Sequence, residues 1–400
     1  MIGRRSSRFS FCLARCCIVA LAFSDLHKTV ANNGTTLRSA ASGRVYMGTA
    51  ITPAHFNESS YVKVVAKEYD LVTAENECKW SATEPAQNTF TFDSCDAVLN
   101  FAQENSMAFR GHNLCWGDYN PAWLDALTAQ GKREALENHI NATLAHYQTA
   151  KGESLAVAWD VVNEALDDAA TGSNWFYKNS TWYPDVPNFV SVAFQAARRA
   201  CPSCRLFYND YNIASTFGSD APKATAVQSM VKELLENGVP IDGVGFQLHV
   251  SREFSAAEVD GVRDNIAAFG ALGLEVHMTE IDVSCGNWPN YTCREWGEDE
   301  MEEQAEVYAG LLAACLDAPD VCTSFESWGC TDKYSWLTAV YGEDEHPLPF
   351  DEDYSKKPAY FALLNTLNKD GGPGLLAAGN ETGDRDRSQA GGCHSTKRCR

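Results

Sequence analysis

Residues 158–165 read Ala158-Trp159-Asp160-Val161-Val162-Asn163-Glu164-Ala165, a short apolar run that stops on two polar side chains. It shows no strict alternation, as expected of a strand buried on both faces. The same pattern recurs outward in both directions, at Val45–Ile51, Asp70–Thr73, Ala108–Gly111, Arg205–Asn209, Gly243–Leu248, Glu275–Ile281 and Ser324–Trp328, with the central strand itself read as Ala156–Val162. Amphipathic, helix-like stretches separate them: Phe92–Asn105, Lys132–Thr149, Asn188–Ala200, Ala221–Asn237, Ala256–Gly270 and Glu300–Leu316, with Lys357–Leu367 closing the series. Strands alternating with crossover helices pair in parallel, and eight is the number at which such a sheet closes on itself. The reading is α/β, a single (β/α)8 TIM barrel over residues 44–368.

Such a barrel gathers its chemistry where strands end and loops begin. Those positions hold Glu75, Asn76 and Lys79; His112, Asn113 and Trp116; Asn163 and Glu164; Asn209, Asp210 and Asn212; Gln247 and His249; Glu280 and Asp282; and Trp328. Taken singly, each has a structural explanation: a glutamate can cap, a histidine can satisfy a core hydrogen bond, a tryptophan can fill a core. Polar residues at the same rim from strand after strand are harder to explain that way. Glu164 and Glu280, from the fourth and seventh expected strands, face one another across the mouth. Two facing carboxyls are what glycoside hydrolysis needs, one to protonate the leaving oxygen and one to attack or to activate water.

At this point the chain resembles glycoside hydrolase family 10, the retaining endo-1,4-β-xylanases. The segments that carry the resemblance are EYDLVTAENECKW (68–80), FRGHNLCW (109–116), WDVVNEAL (159–166), FYNDYNI (207–213), DGVGFQLHV (242–250), EVHMTEIDV (275–283), SWG (327–329) before Trp336, and PLPFDEDYSKKPAYFAL (347–363). The resemblance implies Glu164 as acid/base and Glu280 as nucleophile, with His249, Asp282 and Asn163 in support. It also implies a sugar cleft lined by Glu75, Asn76, Lys79, His112, Trp116, Gln247, Trp328 and Trp336, and xylan or xylo-oligosaccharides as substrate. The acid, base and nucleophile are all side chains, so no cofactor or metal is called for. Gly117-Asp118-Tyr119 stands where the family frequently has His-Ser-Gln, and Cys78 where it commonly has Met. A β-glucanase or other retaining β-glycosidase on the same barrel, and a non-catalytic sugar-binding protein, stay open as alternatives.

Composition bounds the partners. Lys and Arg number 32 against 53 Asp and Glu, a formal charge of −21 that disfavours nucleic acid and anionic membrane. A monomer is expected. The N-terminus pairs basic Arg4, Arg5 and Arg8 with a short apolar run, Cys16–Phe23, and the small-residue site Ala20-Leu21-Ala22. It reads as a secretory signal peptide over 1–22, because the run falls far short of the roughly 20 residues of a membrane span. Its removal takes Cys12, Cys16 and Cys17 and leaves an even twelve of fifteen cysteines, which suggests disulfides in an exported chain. No cysteine or histidine set has zinc spacing, and Cys201-Pro202-Ser203-Cys204 reads as a loop cross-link or two unrelated thiols. The pairings expected are Cys315 with Cys322, where some relatives carry a disulfide, then Cys285 with Cys293, then Cys78 with Cys115. Sequons begin at Asn33, Asn57, Asn141, Asn179, Asn290 and Asn380. Residues 23–43 read as a short polar leader and 369–400 as a disordered Gly-rich tail.

Overall fold

A computed structural model describes residues 34–287, 292–342 and 344–369. The expected signal peptide, most of the leader, the tail from residue 370 and the sequons at Asn33, Asn290 and Asn380 lie outside these residues.

Among the described residues nine parallel strands form: β1 (Tyr46–Ile51), β2 (Leu71–Ala74), β3 (Ala108–His112), β4 (Ala158–Asn163), β5 (Leu206–Asp210), β6 (Gly243–Phe246), β7 (His249–Ser251), β8 (Glu275–Ser284) and β9 (Cys322–Ser327). Each barrel strand pairs with the next, β6 passes over β7 to pair with β8, and β9 returns to β1, so eight strands close as the sequence reading expects. The short β7 adds to the rim through His249 opposite Asp282. All six residues of β4 are buried, which accounts for its unbroken apolar pattern. Helices follow within a few residues of their expected bounds. One example is Ala256–Ala271, started by a capping box in which Ser255 and Glu258 satisfy each other's backbone N–H groups.

The barrel interior is polar as well as packed. Arg110 on β3 forms a fork with Asp160 on β4 and reaches across to His277 on β8 and Glu326 on β9. Contacts between non-adjacent strands can only cross the interior. Thr73 Oγ1 donates to Glu326 at 2.8 Å, and Asp160 Oδ2 lies 2.9 Å from His112 Nδ1 one layer higher. Buried charge is tolerable here because each group is paired. This column joins the core to the rim that carries the site.

Several features differ from the sequence reading, among them the sixth strand, which stops at Phe246 instead of Leu248. Residues Leu37–Ala41, inside the expected leader, form a helix with Leu37 and Ala41 fully buried. Leu37 N donates to Glu68 Oε2 at 3.2 Å, and Tyr360 Oη donates to the same oxygen at 2.7 Å, so the two ends of the barrel chain meet on one carboxylate. A further helix, Ser59–Glu68, separates β1 from β2. Cysteine 78 pairs with Cys95, not Cys115, because the helix Asp93–Glu104 presents Cys95 with its Cα at 4.8 Å, inside the range a disulfide requires. Cys115 is free and buried, as is Cys330. The pairs Cys315–Cys322 and Cys285–Cys293 form as expected, and Cys201–Cys204 is the loop cross-link. The sequons at Asn57, Asn141 and Asn179 are all exposed.

Candidate active site

Strand ends converge on the two glutamates. Glu280, near the middle of the long β8, is buried and held by side chains from two other strands. Its Oε1 accepts from Asn209 Nδ2 at 2.7 Å, and its Oε2 lies 3.2 Å from His249 Nε2. The other imidazole nitrogen, Nδ1, lies 2.8 Å from Asp282 Oδ2, which also accepts from Trp336 Nε1 at 2.8 Å. Burial alone would lower the basicity of His249, but the Asp282 charge beside it, aided by Glu280, raises its pKa to about 10. The imidazolium therefore persists at neutral pH and donates from both nitrogens. Burial would likewise raise the Glu280 carboxyl; the His249 hydrogen bond and the charges of His112 and His249 bring it below the ordinary value instead. Glu280 is thus held as an anion.

Glu164 is built differently. It follows β4 directly with φ of 53°, a left-handed conformation that costs a non-glycine residue on the order of 1–3 kcal/mol. Its Oε1 accepts from Asn163 Nδ2 and from Gln247 Nε2, both at 3.0 Å. Its Oε2 accepts from Trp116 Nε1 at 2.9 Å and faces Lys178 Nζ at 3.4 Å. A shared amide relay links the two acids, for Asn209 Nδ2 donates both to Glu280 and, at 2.8 Å, to Asn163 Oδ1.

The remaining expected residues surround this pair. Lys79 Nζ donates to Asn76 Oδ1 at 2.8 Å and sits 4.9 Å from the Trp116 ring and 4.4 Å from Tyr119. Its pKa is lowered by burial, which outweighs the pull of Glu280, Glu164 and Glu75. Burial, reinforced by Glu77 and opposed by Lys79, pushes the Glu75 carboxyl up to about 7. His112 is anchored by Asp160 and meets the Trp328 ring edge-on at 5.3 Å, as Trp336 meets His249 at 5.2 Å. Trp116, Trp328 and Trp336 are each partly exposed, whereas Trp159 and Trp182 are fully buried, so only the first three of these present ring surface to solvent. Sequence reading placed Asn209 at the rim without giving it a contact, noted Tyr119 only as a departure from the family pattern, and missed Lys178. Tyr119 stacks on Trp116 at 5.4 Å. Lys178 lies on a long irregular loop where no motif signals it.

A separate group on the loop after the helix Trp336–Tyr341, Asp344, His346 and Glu352, brings three ligand atoms within 4.8 Å of one another. Both of its carboxylates are exposed, and it shares no residue with the glutamate pair.

The chain is similar to known proteins over most of its length. The profile of Glycosyl hydrolase family 10 matches residues 36–366. Endo-1,4-beta-xylanase B of Neocallimastix patriciarum is 37% identical over 336 residues, 84% of this chain but only 36% of that protein, so the chain spans about a third of its length. Endo-1,4-beta-xylanase B of Thermotoga neapolitana is 34% identical over 314 residues, covering 77% of this chain and 84% of that one. The crystal structure of xylanase 10B from Thermotoga petrophila RKU-1 in complex with xylobiose superposes with a TM-score of 0.74 at 32% identity, over 84% of this chain and 98% of that one.

Proposed function

The chain belongs to glycosyl hydrolase family 10, and from that premise we propose that it is a secreted endo-1,4-β-xylanase that cuts internal β-1,4-xylosidic bonds of xylan with retention of configuration. Glu280 is the nucleophile and Glu164 the acid/base. The observation that carries this reading is the contrast between the two carboxylates: one buried and in contact with the His249 imidazole, the other at the mouth with a partly exposed side chain.

In the first step Glu280 attacks the anomeric carbon while Glu164 gives its proton to the leaving oxygen, leaving a glycosyl ester on Glu280. In the second, Glu164 takes a proton from water and the ester is hydrolysed. The His249–Asp282 pair keeps Glu280 charged before attack and orients its Oε2. Glu164 gives up a proton in the first half-reaction and takes one in the second, and esterification of Glu280 removes a negative charge from the site between the two. Asn163 is the donor suited to the 2-hydroxyl of the attacked sugar, a contact that strengthens as the transition state forms. Lys79, Asn76, Glu75, Gln247 and His112 supply polar contacts to neighbouring hydroxyls, and Trp116, Trp328 and Trp336 supply apolar faces.

Export belongs to the same proposal. The basic-then-apolar N-terminal segment and four disulfides among the described residues support it. No described helix is long and apolar enough to cross a membrane.

Incubating the protein with xylan and with β-1,4-glucan side by side, and identifying the released sugars by mass and anomeric NMR, tests the reading. Rapid shortening of xylan with β-anomers formed first is expected. Preferential cleavage of glucan would reassign the substrate, and first-formed α-anomers would overturn the double displacement.

A further inference from the structure

One cation reaches the glutamate pair from a part of the chain that carries no motif. Lys178 lies on the irregular segment between Glu164 and the helix Phe189–Ala200, with its Nζ 3.4 Å from Glu164 Oε2. The segment is tied down: Lys178 N donates to Ala165 O at 2.9 Å, Ser180 N to Tyr183 O at 3.0 Å, and Trp182 Nε1 to Trp116 O at 2.6 Å. The neighbouring acids have a cation of their own, and Lys178 adds only a longer-range pull on Asp168. Asp168 and Asp210 each have Lys223 Nζ at 2.9 Å, and Asp168 also accepts from Tyr211 Oη.

This segment closes over Gly117. A Cβ built at residue 117 would meet Ser180 Cβ at 3.2 Å and Lys178 Cε at 3.9 Å. Alanine there would make the loop yield by a few tenths of an ångström, and a ring would displace it. The missing side chain at 117 and the ammonium at Glu164 are therefore one arrangement.

We propose that Lys178 is a positioning residue for the acid/base, delivered over Gly117. It fixes Glu164 Oε2 on the leaving-group side and stabilises the carboxylate that appears as the proton departs. This rests on the assignment of Glu164 as acid/base. In the step it assists, the Glu164 O–H bond breaks and its proton goes to the glycosidic oxygen. The anomeric carbon–oxygen bond breaks as the bond to Glu280 forms. Lys178 takes no part in the proton transfer itself.

Aryl xylobiosides of graded leaving-group ability test this, because a 2,4-dinitrophenolate departs without protonation and a phenolate does not. The readout is kcat/KM, which reports the first half-reaction. Lys178→Met should lower kcat/KM on the order of tenfold for phenyl xylobioside and for xylan, and leave the dinitrophenyl substrate within about twofold. Lys178→Arg should restore most of the loss, and Gly117→His should reproduce the leaving-group-selective defect. Adding Lys178→Met to Gly117→His should then cost little more. A uniform loss on all substrates, or none on any, overturns the inference; thermal unfolding of each variant shows whether the loop change has weakened the fold. Glu164→Gln is the reference. If it lacks a leaving-group-selective defect, the assignment of Glu164 falls; if it has one and Lys178→Met does not, only the role of Lys178 falls.

Discussion

The two carboxylates sit on one rim, yet their supports have different origins. Every side chain that bonds Glu280 comes from a strand: Asn209 from β5 and His249 from β7, the latter braced by Asp282 on β8 itself. Glu164 takes Asn163 from β4, but Trp116 comes from the loop after β3 and Lys178 from the loop after β4. A nucleophile has one task before attack, to stay ionised and aimed, and rigid strands serve that. An acid/base must hold a proton, release it and take another, and its loop-borne neighbours can respond to a sugar entering the cleft.

The largest effect should come from deleting the strand-held acid. Glu280→Ala removes the attacking atom, and xylan turnover should fall by roughly 10⁵- to 10⁶-fold, the scale seen when a covalent nucleophile is lost. Residual activity within a hundredfold of the parent would show that another group attacks. Glu164→Gln keeps the shape and removes the proton, so the loss should be selective. We expect on the order of 10²- to 10⁴-fold on xylan, the usual worth of general acid catalysis. Added azide should then take the place of water and give a β-glycosyl azide, detectable by mass spectrometry. An α-azide would place the ester on the wrong face and break the comparison.

Asp282→Asn probes the strand-borne side without disturbing its shape. Asp282 Oδ2 serves both His249 and Trp336, while buried Oδ1 has no partner among the described residues. An asparagine can keep its oxygen toward both donors and turn its amide where Oδ1 now lies, so the change removes chiefly charge. Losing a charge-assisted hydrogen bond of about 1.5–3 kcal/mol should lower kcat/KM on the order of 10- to 100-fold. The pH dependence of stability gives an independent check. His249 has a folded pKa raised from 6.5 to about 10. Its contribution is therefore present in full below about pH 6.5 and is lost as pH rises toward 10. The asparagine variant, lacking the charge that raises the pKa, should show a shallower decline across that window in urea unfolding. An unchanged slope would mean that Asp282 does not set the charge of His249.

What was legible in the sequence follows the same division. Strands buried on both faces write themselves as apolar runs, and the residues that end them fall at one rim, so Glu164, Glu280, His249 and His112 could be placed from spacing alone. Features made by irregular chain could not. The expected sixth strand runs to Leu248, but it stops at Phe246, and Leu248 adopts φ of 60° to turn the chain into β7, which places His249 opposite Asp282. The helix Leu37–Ala41 is too short for a helical period to register, and its two buried residues gain meaning only against Glu68 and Tyr360. Cys78 and Cys115 fall at ends of neighbouring strands, a pairing that ignores how the helix Asp93–Glu104 brings Cys95 closer. Lys178 stands fourteen residues after Glu164, with nothing in its neighbours to mark it.

The smallest effect tests the loop-borne side. Trp116→Phe keeps an aromatic face for sugar and for Lys79 but deletes the N–H that meets Glu164 Oε2 at 2.9 Å. Asn163, Gln247 and Lys178 still hold the carboxylate, and the indole is partly exposed. The loss should therefore sit at the low end for a hydrogen bond to a charged group, on the order of three- to tenfold in kcat/KM. It should be smaller than that of Asp282→Asn, because a loop-held acid with several partners tolerates the loss of one, whereas the His249 charge depends chiefly on one carboxylate. Measured side by side on phenyl xylobioside, the two variants order the supports directly. If Trp116→Phe proves the more damaging, the acid/base is the rigidly held partner and the contrast between strand-borne and loop-borne support is reversed.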